Sequence, residues 1–268
     1  MAFKSIAFDL DGTLLNSEKK IDRETIDLIK ELNKKKCIIL ISGRHISEMQ
    51  DYISQLNLNQ NSYYISSDGQ YIYDWKLKEL HRENYILKKD IISIIEKLSL
   101  SELLLVGEKK DYFIEENYIK FILKKIAFSI KKLKKEVILL KKLKKEKVNN
   151  IEKIVFFKQK NLENSEVLNK FLTHLYDNGR IEILNKKSGK YNSLKVLSQI
   201  RKLDLDKLLY FGDEINDYEC FSKLKNTVAM KNASKKIKEE AKYITKSCDD
   251  RGVYYFLKNY KEREIIEK

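Results

Sequence analysis

Asp9 and Asp11 stand one residue apart in SIAFDLDGTLL, where the apolar run Ile6, Ala7, Phe8 stops and Gly12-Thr13 turns the chain. Residues i and i+2 of a strand point the same way, so both carboxylates lean into one space while Leu10 points elsewhere. Two like charges sharing a site repel unless a cation or a shared proton compensates them. The pair is therefore either a turn bearing two solvated acids or the nucleophile and divalent-metal ligands of a reactive site.

Three further segments offer complementary chemistry. CIILISGR ends a nearly continuous apolar run in Ser42-Gly43-Arg44, a hydroxyl and backbone N–H groups at an expected helix start. Free donors and partial positive charge make such a place suit an anion. KLLYFGDEIND ends in Gly212, which allows a tight turn, followed by Asp213, Asn216 and Asp217. Lys190, in KKSGKYNSL ahead of an expected helix, is a point charge able to meet a phosphate oxygen.

The elements that must position these residues read as alternating β and α units, which predicts a parallel sheet covered by helices on both faces. Ligands of such open sheets bind beyond the carboxyl ends of the strands, where all four segments can meet. SYYISSDGQYIYD is predicted as a further strand. From Glu83 to Asn185 the pattern changes: helical DIISIIEKLSL, strands ELLLVG and DYFIEE, a long basic helix over 118–148, strand IEKIVFFKQ and helix SEVLNKFLTHLY. The prediction is a Rossmann-like core, 1–82 and 186–268, with an inserted α/β domain over 83–185.

With 43% hydrophobic residues the 268-residue chain can bury a real core. Cys37, Cys220 and Cys248 form no CxxC pair, which argues for a reducing cytoplasm and against a zinc site or disulfide framework. MAFKSIAFDLDG runs straight into the first strand, so no signal peptide is expected. No apolar stretch approaches the roughly 18 residues of a membrane span. The net charge of +14 accompanies a Lys-, Ile- and Asn-rich chain without proline and reads as compositional drift rather than a nucleic-acid footprint, though it would attract anionic substrates. Lys124, Lys125, Lys131, Lys132, Lys134 and Lys135 read as the solvated face of an amphipathic helix, with membrane or nucleic-acid binding as the sharper alternative. His45, His81 and His174 show no ligand spacing. Trp75 reads as structural and Cys37 as a small core residue.

Taken in order, DLDGT, ISGR, Lys190 and GDEIND resemble the four motifs of the haloacid dehalogenase superfamily, in its Cof-type sugar-phosphatase branch with a large α/β cap. VAMKNA near Asn232 and DDRGV ending in Val253 match as well, so the resemblance spans essentially the whole chain. Five of the eight glycines, Gly12, Gly43, Gly69, Gly212 and Gly252, fall in family-matching turns. Three departures stand out. Ser42 replaces the commoner threonine and Tyr191 a usual glycine. Asp68-Gly69 replaces Asn-Gly, an extra acid that either caps its turn or alters substrate preference.

The resemblance implies a Mg²⁺-dependent phosphatase acting on small phosphorylated metabolites, working as a monomer or weak homodimer, with no membrane or nucleic-acid partner. Asp9 would attack phosphorus to form an aspartyl-phosphate, and Asp11 would protonate the leaving oxygen and then activate water. Asp9, Asp213 and the backbone carbonyl of Asp11 would hold Mg²⁺. Leu10 N–H, Ser42, Gly43 N–H, Lys190 and Asn216 would bind the phosphate, and Asp217 would orient Lys190 or metal-bound water. The cap would close over the core and supply much of the specificity. The rivals are a phosphomutase of the phosphomannomutase type and a catalytically idle polyanion-binding protein.

Overall fold

A computed structural model describes residues 3–131, 135–157 and 166–259. The chain divides into two compact units, Met1–Arg82 with Gly189–Lys268, and Glu83–Ser188. The inserted unit thus ends three residues beyond the expected 185.

The first unit opens with β1 (Ser5–Asp9), α1 (Arg23–Asn33), β2 (Cys37–Ile41), α2 (Ile46–Leu56), β3 (Ser62–Ser66), β4 (Tyr71–Asp74) and β5 (Glu79–Arg82). The inserted unit contains α3 (Lys88–Leu98), β6 (Glu102–Gly107), β7 (Asp111–Glu115), α4 (Tyr118–Ile130), β8 (Lys135–Leu139), β9 (Ile151–Phe157), β10 (Phe171–Leu175) and β11 (Arg180–Asn185). The first unit then resumes with α5 (Lys190–Arg201), β12 (Leu208–Gly212), α6 (Tyr218–Lys223), β13 (Thr227–Ala229), α7 (Lys235–Glu240), β14 (Tyr243–Ile244) and α8 (Gly252–Asn259).

The strand order of the first sheet is β14-β13-β12-β1-β2-β3-β4-β5, parallel from β14 to β3 and antiparallel over the last two pairs. Alternate residues of its central strands feed two separate cores. Ile6, Phe8, Ile38, Leu40, Leu209 and Phe211 pack with Ile29 of α1, Met49 of α2 and Phe256 of α8. Ala7, Ile39, Ile41, Leu208 and Tyr210 pack with Leu194 of α5, Phe221 of α6 and Ile237 of α7. Burial on both faces is why these strands read as unbroken apolar runs. SYYISSDGQYIYD departs from its single-strand reading: β3 and β4 are antiparallel neighbours joined by a 3-10 turn over Ser67–Gly69.

The second sheet runs β10-β11-β9-β6-β7-β8, antiparallel except for β7 and β8, which α4 joins. Three expectations fail here. The long basic helix ends at Ile130; Lys135–Leu139 is a strand, with Val137, Ile138 and Leu139 buried. Lys132 and Lys134 lie outside the described residues. Lys124 is not on a solvated face either. Its Nζ is 2.8 Å from both Glu102 Oε2 and Glu115 Oε2, while Ile119, Leu123 and Ile126 are exposed. The expected helix SEVLNKFLTHLY is a 3-10 turn over Glu166–Lys170 followed by β10, paired antiparallel with β11. The hairpin turns at Asn178-Gly179, where Gly179 has φ 82°.

Candidate active site

Parallel strands leave their carboxyl ends on one edge of the sheet. β12, β1, β2 and β3 are consecutive neighbours there, followed respectively by Asp213, Leu10, Ser42 and the Ser67–Gly69 turn. Lys190 is the first residue of α5 rather than a residue ahead of it.

Asp9 is the last residue of β1 and is buried. Lys190 Nζ donates to Asp9 Oδ1 and to Asp217 Oδ1, both at 2.6 Å, and Lys190 and Asp217 are themselves fully enclosed. Burial alone would lower the ammonium's pKa. The carboxylates of Asp217, Asp9 and Asp68 outweigh it and hold Lys190 charged, well above its ordinary range. Asp217 is saturated: Oδ1 also accepts from Tyr210 Oη at 2.5 Å, and Oδ2 accepts from the backbone N–H groups of Asp213 at 2.9 Å and Glu214 at 3.1 Å.

Asp213 accepts from Thr13 Oγ1 at 2.8 Å, and Asn232 Nδ2 bridges Asp213 Oδ2 at 3.4 Å and the Gly12 carbonyl at 2.8 Å. Gly12 has φ +79°, and a Cβ there would stand 2.2 Å from Asp213 Oδ2, so glycine is required twice over. Asp9, Asp213 and Asp217 each bring one carboxylate oxygen within 4.8 Å of the others. Burial, then the charge of Asp217, pushes Asp213 up to about 7. Burial raises Asp9 as well, with Asp217 and Asp213 adding to it against the pull of Lys190. Crowded oxygen donors whose carboxyls resist ionisation fit a hard divalent cation, which would relieve that repulsion. Asp9 and Asp213 have the chemistry to ligate it; the oxygens of Asp217 already serve Lys190, Tyr210 and two backbone N–H groups.

Asp11 stands apart from this cluster. Arg44 Nε and Nη2 each donate to one of its carboxylate oxygens at 2.6 Å, and Lys19 Nζ donates to Oδ1 at 2.7 Å. Its partial burial favours the neutral form, but Arg44 and Lys19 prevail and bring its pKa down to about 2. Arg44 also stacks over Tyr52, with the guanidinium carbon 5.4 Å from the ring centre.

The expected phosphate donors line the same edge. Leu10 buries its side chain in the core, leaving its backbone beside Asp9. Ser42 Oγ accepts from Arg44 N at 3.2 Å. α2 starts at Ile46, beyond Ser42-Gly43-Arg44, and Glu48 accepts from the backbone N–H of its N-cap residue, His45. Asn216 donates through Nδ2 to Asp68 Oδ1 at 2.9 Å.

A family model for haloacid dehalogenase-like hydrolases matches residues 6–257. The chain belongs to that family. It is 31% identical over 284 residues to the phosphatase candidate MG265 of Mycoplasma genitalium, covering 97% of this chain and 99% of that one. Among solved structures, SMU.1108c from Streptococcus mutans aligns with a TM-score of 0.77 at 23% identity, over 98% of this chain and 100% of that one. The subclass IIB sugar phosphatase BT4131 aligns with a TM-score of 0.72 at 22% identity, over 96% and 99%.

Three residues of this haloacid dehalogenase-like hydrolase take roles that the sequence left unassigned. Tyr210 and Thr13 support Asp217 and Asp213 through hydroxyls, and Arg44 claims Asp11. Thr13 and Arg44 stand inside DLDGT and ISGR, whereas the signal for Tyr210 is a polar tip in the middle of the apolar run KLLYF. Tyr191 is half-buried against the core, with Lys223 Nζ 4.8 Å from its ring centre.

Proposed function

We propose that this hydrolase cleaves phosphate monoesters of small metabolites, sugar phosphates among them, with Asp9 as the nucleophile. The observation that carries the reading is a buried carboxylate at a strand end, held by the enclosed Lys190 and crowded by Asp213. An Asp9 oxygen attacks phosphorus, the ester P–O bond breaks, and an aspartyl-phosphate forms. Asp11 gives a proton to the departing oxygen, then takes one from the water that attacks phosphorus and frees Asp9. In the state described Asp11 is ionised and paired, so it reaches its acid role after releasing Arg44 and taking up a proton from solvent or from a monoanionic substrate. Lys190, Asn216, Ser42 and the backbone N–H groups of Leu10 and Gly43 hold the equatorial oxygens. Asp9, Asp213 and the Asp11 backbone carbonyl would hold Mg²⁺, whose charge would offset the acids and help orient the phosphate. The sugar-phosphatase name of BT4131 supports the substrate class. We place the enzyme in the cytoplasm, as a monomer or weak homodimer; among the described residues no helix is long and apolar enough to cross a membrane.

The test is phosphate release from a panel of phosphorylated metabolites and p-nitrophenyl phosphate, with Mg²⁺ and with EDTA. Metal-dependent release that disappears in Asp9→Asn is the expected result. Conversion of a hexose 1-phosphate to its 6-phosphate without free phosphate would instead identify a mutase.

A further inference from the structure

One buried acid has no part in the chemistry above. Asp68 is fully enclosed in the 3-10 turn after β3, in the left-handed region at φ 51°, ψ 42°. Its backbone ties three segments of the site together. Asp68 N–H donates to the Ser42 carbonyl at 3.0 Å, and the Asp68 carbonyl accepts from Gly189 N–H at 2.7 Å. Its carboxylate accepts from Asn216 Nδ2 at 2.9 Å and lies where a Cβ on Gly43 would come within 3.0 Å. It also adds to the negative field around Lys190. A single carboxylate therefore bears on Gly43, Lys190 and Asn216, three of the groups assigned to phosphate.

The turn itself does not call for a charge. Asparagine tolerates the left-handed region as well as aspartate does and could accept the same bond from Asn216 through its amide oxygen. What aspartate adds is an acceptor without donors, which occupies one Asn216 N–H and fixes which end of that amide faces it, together with a negative charge set behind the phosphate donors. Burial keeps solvent from screening that charge. We propose that Asp68 is a positioning residue that loosens this site's hold on phosphate: its carboxylate draws the Asn216 amide back and opposes an incoming phosphate anion, so that product leaves readily. The proposal rests on the phosphatase reading above and adds to it a residue that sets affinity rather than rate of bond cleavage.

The test is calorimetric titration of the full chain with inorganic phosphate in the presence of Mg²⁺, alongside steady-state kinetics on a monoester. Asp68→Asn should bind phosphate at least about tenfold more tightly, through the lost like charge and the released Asn216 amide together; at an effective dielectric near 20 a unit charge even ~12 Å away is worth about that factor. KM should fall in the same sense while kcat does not rise. In an Asn216→Ala background the gain from Asp68→Asn should be smaller, because the draw on the amide is gone and only the like charge remains to be removed. Equal or weaker phosphate binding by Asp68→Asn, or a gain undiminished without Asn216, overturns the proposal. Should Asp68→Asn melt early, Asp68→Ser, also uncharged, must show the same sign. If the wild-type chain neither binds phosphate nor hydrolyses any monoester, it is the phosphatase reading that falls; equal affinities beside intact hydrolysis overturn the role of Asp68 alone.

Discussion

Arg44 grips Asp11 by both carboxylate oxygens at 2.6 Å, a forked contact that keeps the expected general acid ionised and turned to a cation. An acid held in this way is useful only to a substrate that displaces its partner. General acid catalysis contributes roughly 10²–10⁴ in rate where the leaving group is poor, and little where it departs unaided. Asp11→Ala should therefore slow hydrolysis of a sugar phosphate by at least about a hundredfold. It should slow that of p-nitrophenyl phosphate far less. Equal losses on both substrates, measured as kcat/KM, which ends at leaving-group departure and so leaves out the later water step that Asp11 also serves, would remove Asp11 from the acid role.

Lys190 is the shared partner of two buried carboxylates, Asp9 and Asp217. Removing one member of such a group leaves uncompensated charge indoors, which typically costs about 3–5 kcal/mol. Lys190→Met, close in length and without charge, should show a loss of this order in urea denaturation at pH 8. Denaturation at pH 5, where Asp9 can take up a proton, should show a smaller one. A variant as stable as the parent at both pH values would mean that the triad is not what holds this edge together.

Asp213 is pushed up to about 7, well above the ordinary carboxylate near 3.9. The folded chain therefore binds this proton more tightly than the unfolded chain does. Without metal, stability falls as pH rises from about 4 through about 7, because ionising Asp213 becomes a cost to the folded state alone. Mg²⁺ competes with the same proton, so its stabilising effect should grow across that window. Thermal melts should show a larger Mg²⁺-induced rise in Tm at pH 8 than at pH 6, and none in Asp213→Asn. A pH-independent rise would place the cation elsewhere.

Gly12→Ala sets a methyl group 2.2 Å from Asp213 Oδ2 on a backbone at φ +79°. Asp213 must swing away or the turn must rebuild, at a cost of about 1–3 kcal/mol. Activity should drop by more than the fold suffers: kcat should fall at least about tenfold in a protein that still melts cooperatively. Full activity in Gly12→Ala would show that Asp213 does not need its present position.

Much of the core sheet was legible in the sequence, because β1, β2 and β12 are buried on both faces and leave unbroken apolar runs. The site residues at the ends of those strands were legible for the same reason, since each follows directly on a run that announces itself. The inserted unit was less so. Its Lys-rich stretch has helical spacing, yet Lys135–Leu139 pairs with β7, and tertiary pairing overrode local pattern. The β10–β11 hairpin was announced by Asn178-Gly179 and passed over in favour of the helical spacing before it. Pairings across the site were not legible at all. That Arg44 would choose Asp11, and Tyr210 choose Asp217, depends on strand register and side-chain reach rather than on the order of residue types.

β1 is flanked by β2 on one side and β12 on the other, with Ser5 paired to both Cys37 and Leu208. During synthesis β1 emerges before either neighbour, and β12 follows only after the whole inserted unit has been made. Over that interval the strand carrying Asp9 has an open hydrogen-bonding edge, the kind of surface on which nascent chains aggregate or recruit chaperones. Activity is consequently a late event in the life of the polypeptide. A chain cut anywhere before Leu208 lacks the loop bearing Asp213 and Asp217 and yields no slower enzyme, only an unfinished sheet.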